Sequence, residues 1–362
     1  MCRSRSDALA ASAPSRRSSA RSGAAATTTF SSSSSSSHPK EAASFSTASA
    51  STASSASLAA ARASLPDPPV LYPFQELAAA TNNFLARRAP ASVYWRCTLR
   101  GRDAALFQLR ALRSDALRPK SLAATARYHH TSLAPLLGAC LAGAHVYLAY
   151  ELPPGAATLA ACLRSPRNPS FTALRTWLSR VQVAADVAQG LEYIHHHADA
   201  VHGRLSPSTV LVSDPGLRAR LTHTGATQFA EMEEGDGGSR EADVRAFGLL
   251  LLELLSGEQA TTYRLESSTE AVQVSSVVET AAAARGSGRV RSWVDRRLGD
   301  SFPLSVAERL LEVGLRCAAA AAEERPNMTW VAGKVSKAYL ESRAWEQTMR
   351  PAAELSVTLA PR

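Results

Sequence analysis

Nine histidines and five cysteines are the residues of this 362-residue chain best suited to metal or redox chemistry. The cysteines Cys2, Cys97, Cys140, Cys162 and Cys317 show no paired C-x-x-C spacing. That argues against a zinc site and a disulfide framework, and suits buried thiols in a reducing compartment. The histidines gather at 129–130, 195–197, 202 and 223, and no metal site is assigned to them. A different chemistry is suggested by Val201-His202-Gly203-Arg204-Leu205-Ser206-Pro207-Ser208-Thr209, a polar loop running into the apolar strand Val210-Leu211-Val212. Catalytic groups are often carried on loops held by a rigid scaffold. This loop offers an imidazole, a cation and hydroxyls, and no carboxylate to serve as a general base.

The elements that must position that loop are legible. Val93-Tyr94-Trp95 and Ala105-Leu106-Phe107 read as paired strands separated by the turn-like Arg100-Gly101-Arg102-Asp103. Residues 172–197 carry Leu174, Leu178, Val181, Ala185, Ala188, Leu191 and Ile194 at spacings of three and four, one face of a helix. The apolar block Phe247–Leu255, stopped by Ser256-Gly257, predicts a helix buried on all sides. A strand-rich first part followed by a helix-rich second part predicts an α+β, two-lobed molecule.

Composition sets the outer bounds. Residues 1–65 are dominated by Ser, Ala, Thr and Arg, include an unbroken Ser31–Ser37 run, and show no hydrophobic periodicity, so they are expected to be disordered. What remains, roughly 275 to 300 residues, is ample for one domain. The formal charge of +9 is uneven: the first 65 residues hold seven basic and two acidic side chains. Such a tail could touch anionic lipid, and its Ser- and Arg-rich, acid-poor look also fits an organelle transit peptide. No stretch before residue 72 approaches the roughly 18 apolar residues of a membrane span. Cys2 alone would give only marginal lipid anchoring. Nucleic-acid binding is disfavoured, because the positive excess sits mainly in a Ser-rich tail whose few aromatic side chains are not interleaved with its basic ones.

The 201–212 window resembles the catalytic loop of a protein kinase, H-R-D-x-K-x-x-N followed by a strand. Further landmarks fall in order around it. Tyr72–Phe84 is similar to the F-x-x-E-L-x-x-A-T-N-N-F segment of plant receptor-like kinases, and His129–Cys140 to H-x-N-L-V-x-L-x-G-x-C. Val146–Glu151 resembles the strand and hinge between the lobes, and Trp177–His197 the helix before the catalytic loop. Asp243-Val244-Arg245-Ala246-Phe247-Gly248 matches D-V-Y-S-F-G, and Cys317–Met328 the closing C-x-x-x-x-x-x-x-R-P-x-M. The resemblance covers roughly residues 72 to 340 and looks closest to cytoplasmic domains of LysM-type and related receptor-like kinases. It implies a kinase-like domain over 66–345, with a small lobe about 85–150, a large lobe about 151–340, and a C-terminal tail over 346–362. The receptor half is expected to be missing.

The resemblance also implies which groups are replaced. The proton-accepting Asp, the phosphoryl-steadying Lys and the metal-holding Asn correspond to Arg204, Ser206 and Thr209. The three glycines of the phosphate loop correspond to Ala86, Arg88 and Ala91, and the lysine of V-A-I-K to Gln108. Its carboxylate partner would fall near Ser121, and Arg110 is a poor substitute cation. The metal-binding D-F-G reads His223-Thr224-Gly225, and magnesium prefers carboxylate oxygen to imidazole. Between Gly225 and Asp243 there is too little chain for a full activation segment, no A-P-E appears, and Arg325 loses its usual partner. The acidic loop Glu231–Gly238 reads as mobile surface. Asp243, Gly248, Trp177, Arg325 and Pro326, which support the fold, are retained.

These implications lead to a catalytically inactive pseudokinase that binds no cofactor. It is expected to scaffold or regulate an active receptor-like kinase or its substrate, in the cytoplasm or at the inner face of the plasma membrane. The alternatives are an ATP- and magnesium-binding serine/threonine kinase using non-standard residues, or a decayed chain with no stable role.

Overall fold

The computed structural model describes residues 67–85, 94–113, 117–125, 127–165, 168, 170–231, 238–265, 272–299 and 301–349. The chain divides into two units, Met1–Arg62 and Ala63–Arg362, and only residues of the second are described. The expected disordered tail, the glycine-loop positions Ala86, Arg88 and Ala91, most of the acidic loop and the end of the C-terminal tail lie outside the described residues.

The small lobe is a five-stranded sheet in the order β1-β4-β5-β3-β2. Its strands are β1 (Val70–Leu71), β2 (Tyr94–Leu99), β3 (Arg102–Arg110), β4 (Leu136–Ala142) and β5 (His145–Glu151). Strands β2 and β3 join through Arg100 and Gly101 alone, with φ of 50° and 80°, the positive pair that suits the twist of a two-residue hairpin. The predicted turn is therefore shorter than expected: Arg102 and Asp103 already pair with Leu99 and Thr98.

Strand β1 pairs in parallel with Gly138 and Ala139 of β4, so the small lobe begins well before residue 85. Helix α1 (Phe74–Ala80) follows. The Thr81 hydroxyl donates to Leu77 O at 2.7 Å and accepts from Phe84 N at 3.2 Å. This turns the chain so that Phe84 packs on Phe74, Trp95 and Tyr147, with centroids 5.1 to 5.5 Å apart. The Phe, Thr and second Phe of the lead-in motif thus form an aromatic latch on the outer face of the sheet.

The two faces of β3 are covered differently. Ala104 and Leu106 share a core with Leu77, Trp95 and Tyr147, whereas Ala105 and Phe107 join Leu122, Leu148, Tyr150 and Phe229. Leu122 comes from a short helix, α2 (Pro119–Thr125).

The large lobe carries a small sheet of β6 (Ala157–Thr158), β7 (Val210–Val212) and β8 (Ala219–Leu221), beneath helices α3 (Leu159–Leu163) and α4 (Trp177–His196). Helix α5 (Arg240–Ser256) is buried along Phe247, Gly248 and Leu250–Leu255, and stops at Gly257, φ 72°. A hairpin, β9 (Thr261–Leu265) and β10 (Val272–Ser276), leads to α6 (Val277–Gly286), α7 (Val290–Trp293), α8 (Leu304–Cys317) and α9 (Met328–Met349). Helix α9 runs past residue 345, into what the sequence reads as tail. Helices α5 and α8 touch backbone to backbone: a Cβ on Gly248 would lie 2.7 Å from Cys317 Cβ and 2.8 Å from Gly314 O.

The predicted helix before the loop begins at Trp177, and Leu174, just ahead of it, is fully buried. Trp177 Nε1 donates to Ser342 Oγ of α9 at 2.8 Å. Arg180 is buried and donates to Asp295 Oδ2 at 2.6 Å and Leu254 O at 2.8 Å, tying α4 to the segment after α7. Its burial is compensated by these partners.

Candidate functional site

The 201–209 loop hangs from one carboxylate. Asp243, in the first turn of α5 and 2 % exposed, accepts from His202 N at 2.7 Å and Gly203 N at 2.8 Å. His195 Nε2 lies 2.9 Å from Oδ2, the oxygen that His202 N also reaches. His202 Nε2 donates to Thr222 O at 2.8 Å, which leaves Nδ1 free to accept from Arg204 N at 3.3 Å. Acceptance at Nδ1 calls for the neutral ring. Burial lowers the His202 pKa, with the Asp243 charge opposing.

The hydroxyls of the loop are engaged within it. Thr209 Oγ1 accepts from Ser206 N at 3.0 Å and lies 3.0 Å from the carbonyls of both Arg204 and Ser206, to one of which it donates. Ser206 Oγ pairs with Ser208 Oγ at 2.8 Å. Thr209 therefore closes the loop on itself. The Arg204 side chain is a permanent cation and cannot accept a proton.

Strands β7 and β8 lead from this loop to His223, which has a φ of 63° and is 2 % exposed. Its ring lies edge-on to Phe107 at 4.6 Å and stacks near Tyr150 at 5.8 Å. These two aromatics come from β3 and β5, so the imidazole sits where the small sheet meets the large lobe. Thr222 Oγ1 donates to Thr209 O at 2.7 Å, and its one proton is then spent. At 2.7 Å from His223 Nδ1 the hydroxyl must accept, placing the ring proton on Nδ1. Burial pushes the His223 pKa down to about 3, with His202 and Arg204 adding to the shift. Burial likewise pushes the Tyr150 phenol up.

The chain after His223 crosses to the small lobe. Gly225, φ 75°, lies against α2, where a Cβ would fall 2.0 Å from Thr125 Cγ2. Ala226, Phe229 and Ala230 are buried in the small-lobe core. Leu112 N donates to Phe229 O at 2.8 Å, Glu231 N donates to Arg110 O at 3.0 Å, and Ala111 bridges Ala230. Arg110, considered above as a stand-in cation, pairs instead with Glu231 at 3.3 Å.

One sequence assignment is corrected. Gln108 pairs across the strands with Tyr147, whose ring belongs to the outer face, while Phe107 pairs with Leu148 on the inner face. Neighbouring strand residues point to opposite sides, so a slip of one residue exchanges faces. Phe107, not Gln108, is the side chain that meets His223. Ser121, at the position expected for the partner carboxylate, exchanges hydrogen bonds with Arg118 at the start of its own helix, donating to Arg118 O at 2.9 Å and accepting from Arg118 N at 3.3 Å. Arg325 donates to the main-chain carbonyls of Ala319 at 2.8 Å, Ala320 at 2.9 Å and Glu241 at 3.1 Å. Phe107, Tyr150 and Thr222 are the site residues that sequence reasoning missed.

The sequence pattern of the protein tyrosine and serine/threonine kinase family matches residues 114–335. The chain belongs to this family. Among its kinase relatives, chitin elicitor receptor kinase 1 of Arabidopsis thaliana is 29% identical over 306 residues, covering 77% of this chain and 48% of the relative. Protein LYK5 of the same plant is 27% identical over 304 residues, covering 76% and 44%. LysM domain receptor-like kinase 3 of Medicago truncatula is 28% identical over 286 residues, covering 71% and 44%. The chain thus spans about half the length of these curated relatives.

The kinase fold is shared with solved pseudokinase domains. That of BIR2, an immune regulator of the RLK/Pelle family, aligns with a TM-score of 0.60 at 23% identity, covering 77% of this chain and 89% of that one. DRIK1, a drought responsive inactive kinase, aligns at 0.54 and 20% identity, covering 76% and 99%. Among the described residues no helix is long and apolar enough to cross a membrane.

Proposed function

We propose that this kinase-family chain transfers no phosphate and works by binding, as a scaffold or regulator of an active receptor-like kinase or of that kinase's substrate. The observation that carries the reading is the packing of His223 between Phe107 and Tyr150. An imidazole and two aromatic rings stand where phosphoryl transfer would need a metal-binding carboxylate and a cation beside the phosphates. Thr209 and Ser206 are spent on their own loop, and Arg204 cannot serve as a base. The donor set does not fit a magnesium nucleotide, since magnesium takes hard carboxylate and phosphate oxygen and neutral imidazole suits softer metals. Groups that act together in phosphoryl transfer are not rescued one at a time. A kinase partner would place the chain in the cytoplasm, at the inner face of the plasma membrane.

Thermal unfolding of the purified chain with and without millimolar Mg²⁺-ATP tests the reading. A ligand that binds only the native state raises its apparent stability, so an unchanged midpoint is expected. A rise of several degrees would instead favour the second reading, a nucleotide-binding kinase with unusual residues.

A further inference from the structure

The chain carries +9, and the seven basic and two acidic side chains of residues 1–65 leave +4 for everything after. Residues 285–297 hold five arginines against one aspartate, a local net charge of +4. Three of them, Arg289, Arg291 and Arg296, line a cavity of about 520 Å³ between α7 and the start of α8, with Val294, Asp295 and Phe302.

The charges in this cavity are unevenly compensated. Asp295 accepts from Arg180 at 2.6 Å and from Arg297 at 2.6 Å, so its carboxylate is already held by two guanidinium groups. Burial alone would raise its pKa, but the Arg297 hydrogen bond and the Arg180 charge hold it below the ordinary carboxylate value. Arg285 pairs with Glu312 at 2.8 Å. Arg289 and Arg296 are exposed and, among the described residues, have no ion pair. Arg291 lies over the ring of Phe302, 5.6 Å from its centroid, beside them.

A second cavity of about 580 Å³ adjoins the first, sharing Ser292, Val294, Asp295 and Arg296 and adding Trp293, Thr262, Ser275 and Thr280. Together they make a polar groove with a cluster of guanidinium groups at one end. Guanidinium forks match the oxygens of a phosphate and bond it with charge assistance. The adjoining stretch offers room for the residues on either side of a phosphorylated side chain. A bilayer is a poorer fit. The arginines line a depression, and the exposed large apolar side chains among the described residues (Leu71, Phe74, Leu85, Leu112, Phe171, Val274, Leu340 and Met349) include none from 285–302.

We infer that the groove at Arg289, Arg291 and Arg296 binds a phosphorylated serine or threonine in an extended segment of a partner protein. That the partner is a kinase rests on the function proposed above. Recognition of the phosphoryl group does not, because none of these residues lies at the His223 cleft.

The test uses the full chain, so that the basic N-terminal region is present in every arm. A fluorescein-labelled peptide of glycine and alanine with a central phosphoserine is titrated by anisotropy beside its unphosphorylated twin. Wild-type protein is compared with the R289E/R296E variant, which changes two exposed side chains. The wild type is expected to prefer the phosphopeptide by about tenfold or more, and the variant to lose that preference. A preference that survives in the variant would overturn the inference, as would equal binding of the two peptides by wild type. Sedimentation with phosphatidylserine vesicles that depends on these arginines, alongside no discrimination between the peptides, would assign the surface to membrane instead. If R289E/R296E fails to fold, R289Q/R296Q removes the charges without reversing them, and the same outcomes decide. Neither result depends on whether Mg²⁺-ATP shifts the unfolding midpoint.

Discussion

Replacing His223 by Asn should make the protein less sensitive to acid. His223 has a left-handed backbone that Asn tolerates, so the substitution removes the titrating ring without imposing a new conformation. The native-state pKa of His223 is pushed down to about 3, against about 6.5 in an unfolded chain. Between these values the unfolded chain binds a proton that the native state refuses. The wild type is therefore penalised progressively as pH falls through about 6.5, and the penalty levels off only below about 3. At about 1.4 kcal/mol per pH unit, the loss attributable to this one ring between about pH 7.5 and 4.5 comes to roughly 2.5 kcal/mol. Urea unfolding followed by tryptophan fluorescence, run on wild type and H223N across that range, isolates the effect. His202 and the buried carboxylates remain in both proteins and cancel. The difference in stability should narrow, or reverse in favour of the variant, as the solution is acidified. A difference that stays flat across the range would refute the burial of a neutral imidazole between Phe107 and Tyr150.

Three further outcomes are expected. Asp243→Asn turns an acceptor of two backbone N–H groups, in contact with His195, into a mixed donor and acceptor, and should lower unfolding free energy by about 2 to 4 kcal/mol in urea titration. Gly248→Ala presses a methyl group onto Cys317 and the backbone of α8, and a loss of about 1 to 3 kcal/mol is expected in the same assay. Restoring a carboxylate with Arg204→Asp should give no phosphoryl transfer in a radiolabelled ATP assay, because Phe107, His223 and Thr209 still occupy the other positions. Measurable transfer by that single variant would show that the cleft has been misread.

Much of the scaffold could be read along the chain because its determinants are local. The spacing from Leu178 to Ile194 marks α4, and the run from Phe247 to Gly257 marks α5 with its stop. Asp243 was legible from its motif, and the structure gives its role in distances. What could not be read depends on pairings between distant segments. The contact of Phe107 and Tyr150 with His223 joins three separate strands or loops, and no spacing in the sequence announces it. The slip from Phe107 to Gln108 has the same origin: an apolar strand buried on both faces gives no polar alternation to fix which side faces inward. The β9–β10 hairpin went unread, since its residues offer neither a tight-turn signature nor a long apolar run. The carbonyl partners of Arg325 are main-chain atoms and leave no mark on residue identity.

The stretch from Ala226 to Glu231 gives the molecule a mechanical character. It leaves the large lobe at Gly225 and is sewn to Arg110, Ala111 and Leu112, at and just past the end of β3, by two main-chain hydrogen bonds, the Ala111–Ala230 bridge and the Arg110–Glu231 ion pair. Swinging the lobes apart would tear that seam and expose Phe229 to water. The hinge is thus braced, and a partner gripping both lobes would meet a stiff template that needs little rearrangement before docking, so less of the contact energy is spent on ordering.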